Sequence, residues 1–174
     1  MNSDHINEAK IKRAIGQRLS LRKPQELSLD ILSDVLGMMD FGKVTDVDAL
    51  LRGIAAKYPS VESFEREFPS LCFALATGVG KTRLMGAMIA YLFQTRRSRN
   101  FFVLAPNTTI YNKLIEDFSQ QSSPKYVFRG IAEFAQKPPV IVTGDTWEEG
   151  RGVRGSDLFD DTIINIFNVD KINK

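Results

Sequence analysis

From residue 71 onward the chain alternates short apolar runs with amphipathic segments, and this rhythm restricts the fold more than any other feature. Leu71–Ala76 (LCFALA), Asn100–Ala105 (NFFVLA), Val140–Thr143 and Ile163–Phe167 are nearly continuous apolar runs of strand length. Lys81–Arg96 and Thr108–Phe118 instead repeat apolar residues at the helical period, the second with Ile110, Leu114, Ile115 and Phe118 on one side. A strand apolar along its whole length is buried on both faces, the situation of a parallel sheet covered by crossover helices. The expected class is therefore α/β with a mostly parallel sheet. The first seventy residues carry helical patterns only. Ile6, Ala9, Ile11, Ala14, Ile15 and Leu19 recur near 3.6 residues. Pro24 suits the first turn of a second helix ending at Gly37, and Val47–Tyr58 is a third, stopped by Pro59. The glycine-rich stretch Gly144–Gly155 reads as a loop containing Trp147, Arg151 and Arg154, with the tryptophan folded over the core and stacking on a base as the alternative.

Leu75-Ala-Thr-Gly-Val-Gly-Lys-Thr82 lies between a strand candidate and a helix candidate. It carries the Gly-Lys-Thr end of the phosphate-loop pattern, with Leu75 where the strict form has its first glycine. At a glycine usage of about 7%, chance places such a run in a chain this long less than roughly once in a hundred. The chemistry does not need the first glycine. Gly78 and Gly80 can adopt backbone angles closed to other residues, so successive amides of Thr77, Gly78, Val79 and Gly80 converge on phosphate oxygens. A helix opening at Lys81 turns its positive end toward the same anion. Lys81 then reaches the β- and γ-phosphates of ATP, and the Thr82 hydroxyl ligates Mg²⁺.

Composition narrows the alternatives. One cysteine (Cys72) excludes an internal disulfide, and one histidine (His5) leaves no His/Cys set for structural zinc. Cys72 reads as packing inside its strand. No apolar run approaches the roughly 20 residues of a membrane helix, and the N-terminus has no apolar signal region. A cytoplasmic protein without membrane contact is expected. The net charge of +2 conceals a gradient: residues 1–70 sum to −1, 71–139 to +6 and 140–174 to −3. The central block suits a polyanion, although solubility alone also accounts for it. Arg96, Arg97 and Arg99 close a helix, where cations complement its dipole, with DNA contact as the alternative.

The loop, its continuation Lys81-Thr-Arg-Leu-Met-Gly-Ala-Met-Ile-Ala-Tyr-Leu92 and the segment Asn100-Phe-Phe-Val-Leu-Ala-Pro-Asn-Thr-Thr-Ile-Tyr-Asn-Lys-Leu114 together resemble the Res subunit of type III restriction enzymes. These are superfamily 2, DEAD/DEAH-type helicase-like motors, and the type I restriction motor is a near relative. The resemblance covers about residues 20–170. It implies a partial RecA-like phosphate-loop NTPase lobe, preceded by N-terminal helices. On that division residues 1–68 are a helical region and 69–174 an incomplete first ATP-binding domain with motifs I and Ia. Leu21-Arg-Lys-Pro-Gln25 resembles the adenine-reading element of such motors, which gives Gln25 that role with Arg22 in support; a single amide offers one acceptor and two donors. A helix start with exposed Gln and Arg is the plain alternative. Val103–Asn107 resembles motif Ia, placing Pro106, Asn107, Thr108 and Thr109 against a nucleic-acid backbone, with ordinary helix capping as the alternative.

A motor of this kind also needs an acidic strand end, whose Asp holds the Mg²⁺ shell and whose Glu orients water. No Asp-Glu dipeptide occurs in the sequence, and Asp170 is a poor substitute, so no catalytic residue is assigned. No Pro-Asp step anchors a nuclease site either. The expectation is the N-terminal part of a larger ATP-dependent endonuclease subunit that acts on double-stranded DNA with a methyltransferase (Mod) partner. The rivals are a truncated, non-hydrolysing nucleotide- or DNA-binding module, a type I relative and another superfamily 2 helicase.

Overall fold

The computed structural model describes residues 2–39, 46–148 and 161–169. Along the chain come α1 (Asn2–Arg18), α2 (Lys23–Gly37), α3 (Val47–Lys57), α4 (Lys81–Gln94), β1 (Asn100–Ala105), α5 (Thr108–Ser119), α6 (Ala132–Gln136), β2 (Val140–Thr143), α7 (Gly144–Glu148) and β3 (Ile163–Asn168). They form two compact units: Arg22–Lys81, and the residues up to Leu21 together with those from Thr82 onward.

The second of these units holds a three-stranded sheet in the order β1-β3-β2, parallel throughout. Asn100 pairs with Ile163 and Ala105 with Asn168, while Val140–Thr143 pairs with Ile163–Ile166. β3 comes last in the chain and lies in the middle, which explains why four of its six residues, Ile163, Ile164, Ile166 and Asn168, are buried. The edge strand β1 buries only Val103 and Ala105, and its exposed Phe102 stacks on Phe167 at 5.2 Å. α5 packs on all three strands through Tyr111, Leu114 and Phe118. A ring cluster of Phe118, Phe128 and Phe134 continues this core, with centroids 4.6–5.5 Å apart. The five-residue α6 carries Phe134 into that cluster, too short an element for periodicity to reveal.

In the unit Arg22–Lys81, α2 and α3 bury Val35, Leu50, Ile54 and Phe64 against one another. Asp46 caps α3 by accepting the Ala49 N–H at 2.9 Å. Lys57 and Tyr58 both donate to Asp34, at 2.7 and 2.6 Å, and tie the end of α3 to α2.

Three expectations are corrected. Leu71–Ala76 pairs with no strand among the described residues, so Cys72 is exposed rather than packed in a sheet. The segment keeps an alternation of half-buried and exposed positions, but an extended chain becomes a strand only when a neighbour completes its ladder. Gly144–Glu148 is helical because Thr143 and Thr146 cap each other: Thr143 N–H donates to Thr146 Oγ1 at 2.8 Å, and Thr146 N–H to Thr143 Oγ1 at 3.2 Å. Trp147, placed on that helix, is 62% exposed and does not cover the core. Arg151, Arg154 and Asp170 lie outside the described residues.

Candidate nucleotide-binding site

Two glycines shape the main chain between Leu75 and Lys81. Gly78 has φ +82° and Gly80 φ +95°, in the left-handed region that other residues enter at a cost. Nothing stands within 4 Å of where a Cβ on Gly78 would lie, so dihedral angle rather than crowding calls for glycine there. Among the described residues the Gly78 and Gly80 amides donate to no main-chain carbonyl, and Val79 N–H reaches Ala76 O only at 3.5 Å. The Lys81 side chain is exposed, and its Nζ donates to Ala76 O at 3.1 Å. Thr77 is exposed, Val79 half-buried, and Thr82 follows, half-buried, in the first turn of α4.

The carbonyls of the same loop are held from α2. Arg22 Nη1 donates to Gly78 O at 3.2 Å, and Gln25 Nε2 to Gly80 O at 2.8 Å. The Gln25 side-chain oxygen accepts the Arg22 N–H at 2.7 Å, which caps α2. A trans peptide points its N–H opposite to its C=O. Fixing the carbonyls of Gly78 and Gly80 therefore turns the amides of Val79 and Lys81 to the opposite side of each peptide. Gln25 is only 1% exposed, and its amide is already engaged on both sides.

In the sheet-containing unit, Pro106, Asn107 and Thr109 are exposed between β1 and α5 or in its first turn. Asn107 Oδ1 accepts the Ile110 N–H at 2.9 Å and caps α5. Thr108 Oγ1 is held by Asn168 Nδ2 at 3.1 Å from the end of β3. The capping contact was legible from Asn107. The contact with Asn168 was not, because it depends on β3 lying beside β1.

The family model described as type III restriction enzyme, res subunit, matches residues 20–173. The chain belongs to that family. Comparison with curated proteins and with solved structures gave no match. Membership makes this Res-family chain a helicase-like, nucleotide-binding region of a restriction-enzyme motor subunit, and its small parallel sheet with flanking helices agrees with a partial RecA-like lobe.

The Res-family loop meets the chemical demands of a nucleoside triphosphate with Mg²⁺. It offers aimed amides, one ammonium group and one hydroxyl, the donor set such a group needs. Among the described residues no group of three or more His, Cys, Asp or Glu side chains gathers to hold a metal. A magnesium ion here would rest on Thr82 and on the phosphates themselves, as Mg²⁺ commonly does. Among the described residues no helix is long and apolar enough to cross a membrane.

Proposed function

We propose that this Res-family chain binds ATP with Mg²⁺ through Thr77–Thr82 and serves as the ATP-binding, DNA-contacting part of a type III restriction motor. Residues 1–68 act as a helical region carrying the adenine-reading element, and residues 69–174 as an incomplete first motor lobe. One observation carries the proposal: two left-handed glycines flank Val79 immediately before a helix whose first residue is an exposed lysine. Lys81 exchanges its bond to Ala76 O for the phosphates, the amides of Gly78–Lys81 surround them, and the Thr82 hydroxyl turns to the metal. Gln25 reads adenine by exchanging its bond to Gly80 or Arg22 for the base edge, which couples the base to the shape of the loop. Pro106, Asn107, Thr108 and Thr109 face the backbone of double-stranded DNA, with a methyltransferase subunit as partner in the cytoplasm.

The chain is expected to bind a fluorescent ATP analogue weakly. Lys81→Ala is expected to reduce that binding to background, read by anisotropy, and unchanged binding in the variant overturns the assignment. A second reading, a non-hydrolysing nucleotide- or DNA-binding module, is favoured by the lack of any Asp-Glu dipeptide in the sequence. No turnover above background is expected from this chain, with or without DNA, and turnover lost in Asp170→Asn would instead identify that residue as catalytic.

A further inference from the structure

A cavity of about 430 Å³ opens in the sheet-containing unit between α1, the end of α4 and α6. Lys10, Arg18, Arg96 and Arg99 line it, against one carboxylate, Glu133. Lys10 and Arg18 stand eight residues apart on α1 and so share one helical face. Phe93 forms part of the apolar lining, its ring 6.0 Å from the Arg99 guanidinium carbon. The cavity sits at the far end of α4 from Lys81, roughly 20 Å along a helix of 14 residues.

The backbone at Arg96 points the same way. Arg96 N–H donates to Phe93 O at 2.9 Å and Arg97 N–H to Leu92 O at 2.9 Å, the paired bonds of a Schellman ending. Arg96 occupies the left-handed position of that ending with φ +58°, where glycine is the usual residue. Arginine thus stands where glycine is usual, beside Lys10, Arg18 and Arg99.

We propose that this cavity holds a segment of single-stranded nucleic acid, its phosphates against Lys10, Arg18, Arg96 and Arg99 and a base against the Phe93 edge of the lining. At about 430 Å³ the cavity has the volume of a small-ligand pocket, room for one nucleotide of a strand. Planar guanidinium groups pair bidentately with phosphate, and an aromatic wall accepts any base. This deepens the DNA-binding reading and rests on it only for the identity of the polyanion.

The test is anisotropy of a labelled twelve-nucleotide oligothymidylate with the full chain over a salt series. Arg18→Glu is expected to weaken binding about tenfold and to lower the slope of log K against log salt by about 0.7 for the phosphate lost. Arg96→Gly is expected to raise the melting temperature and still weaken the strand, a combination that a purely structural arginine does not give. Binding of the ATP analogue stays at the wild-type value in both variants, which also reports that they are folded. Arg52→Glu, the same charge change on α3, leaves the strand affinity unchanged. Strand affinity unaltered in both cavity variants overturns the proposal, as does equal weakening in Arg52→Glu. Tighter binding of a labelled twelve-residue polyglutamate than of the strand also overturns it, in favour of an acidic protein partner. Loss in Asn107→Ala/Thr109→Ala without loss in the cavity variants overturns the cavity and keeps the DNA reading. Loss in the cavity variants alone supports the cavity.

Discussion

Gln25 is the side chain on which the candidate site turns. Its side-chain oxygen caps the start of α2 and its amide nitrogen fixes the loop, so one buried group joins helix capping to loop shape. Gln25→Glu keeps the acceptor and the size but sets a carboxylate oxygen against Gly80 O. Loss of stability of about 1–3 kcal/mol is expected in urea unfolding, with weaker binding of the ATP analogue. Tyr58 provides a pH-dependent test of the same unit. Burial first, then its hydrogen bond to Asp34 and the charges of Asp34 and Asp30, push its phenol up to about 12. A phenol raised above its ordinary value favours the fold while protonated. That contribution is whole below about pH 10 and is lost as pH rises through about 12. Urea midpoints for Tyr58→Phe are therefore expected to fall less than those of the unaltered chain between these values.

At the scale of elements, helices were legible wherever a long amphipathic pattern met a cap. α2, α3 and α5 begin and end within a residue or two of the positions that Pro24, Gly37, Pro59 and Asn107 suggested. α4 stops at Gln94 rather than Arg96 because Arg96 turns left-handed. α7 was hidden by its glycine and its length, since a five-residue helix capped by two threonines leaves no periodic trace. α4 also depends on close approach. A Cβ on Gly86 would lie 2.7 Å from Val127 Cβ and 3.0 Å from Val127 O. Gly86→Ala is expected to destabilise by about 1–3 kcal/mol despite its gain in helix propensity, because the obstacle includes backbone; thermal unfolding measures this.

For the whole molecule, compactness cuts the chain near residues 21 and 81, a division that neither charge nor periodicity discloses. The phosphate-loop segment up to Lys81 belongs with α2 and α3, whose centre is Ile54, fully buried. Ile54→Ala is expected to cost about 2–5 kcal/mol and to weaken nucleotide-analogue binding with it, seen as lost hydrogen-exchange protection in α2 and α3.

The order of residues by itself determined the α/β class, the three parallel strands, the long helices and the glycine-lysine loop, because period, capping and dihedral freedom are local properties. Tertiary structure alone decided that Leu71–Ala76 pairs with no strand among the described residues, that β3 inserts between β1 and β2, and that Gln25 faces the loop. It alone gathered Lys10 and Arg18 beside Arg96 and Arg99. Ladder partners, burial and the meeting of distant charges depend on which surfaces the folded chain brings together, and no local pattern encodes them.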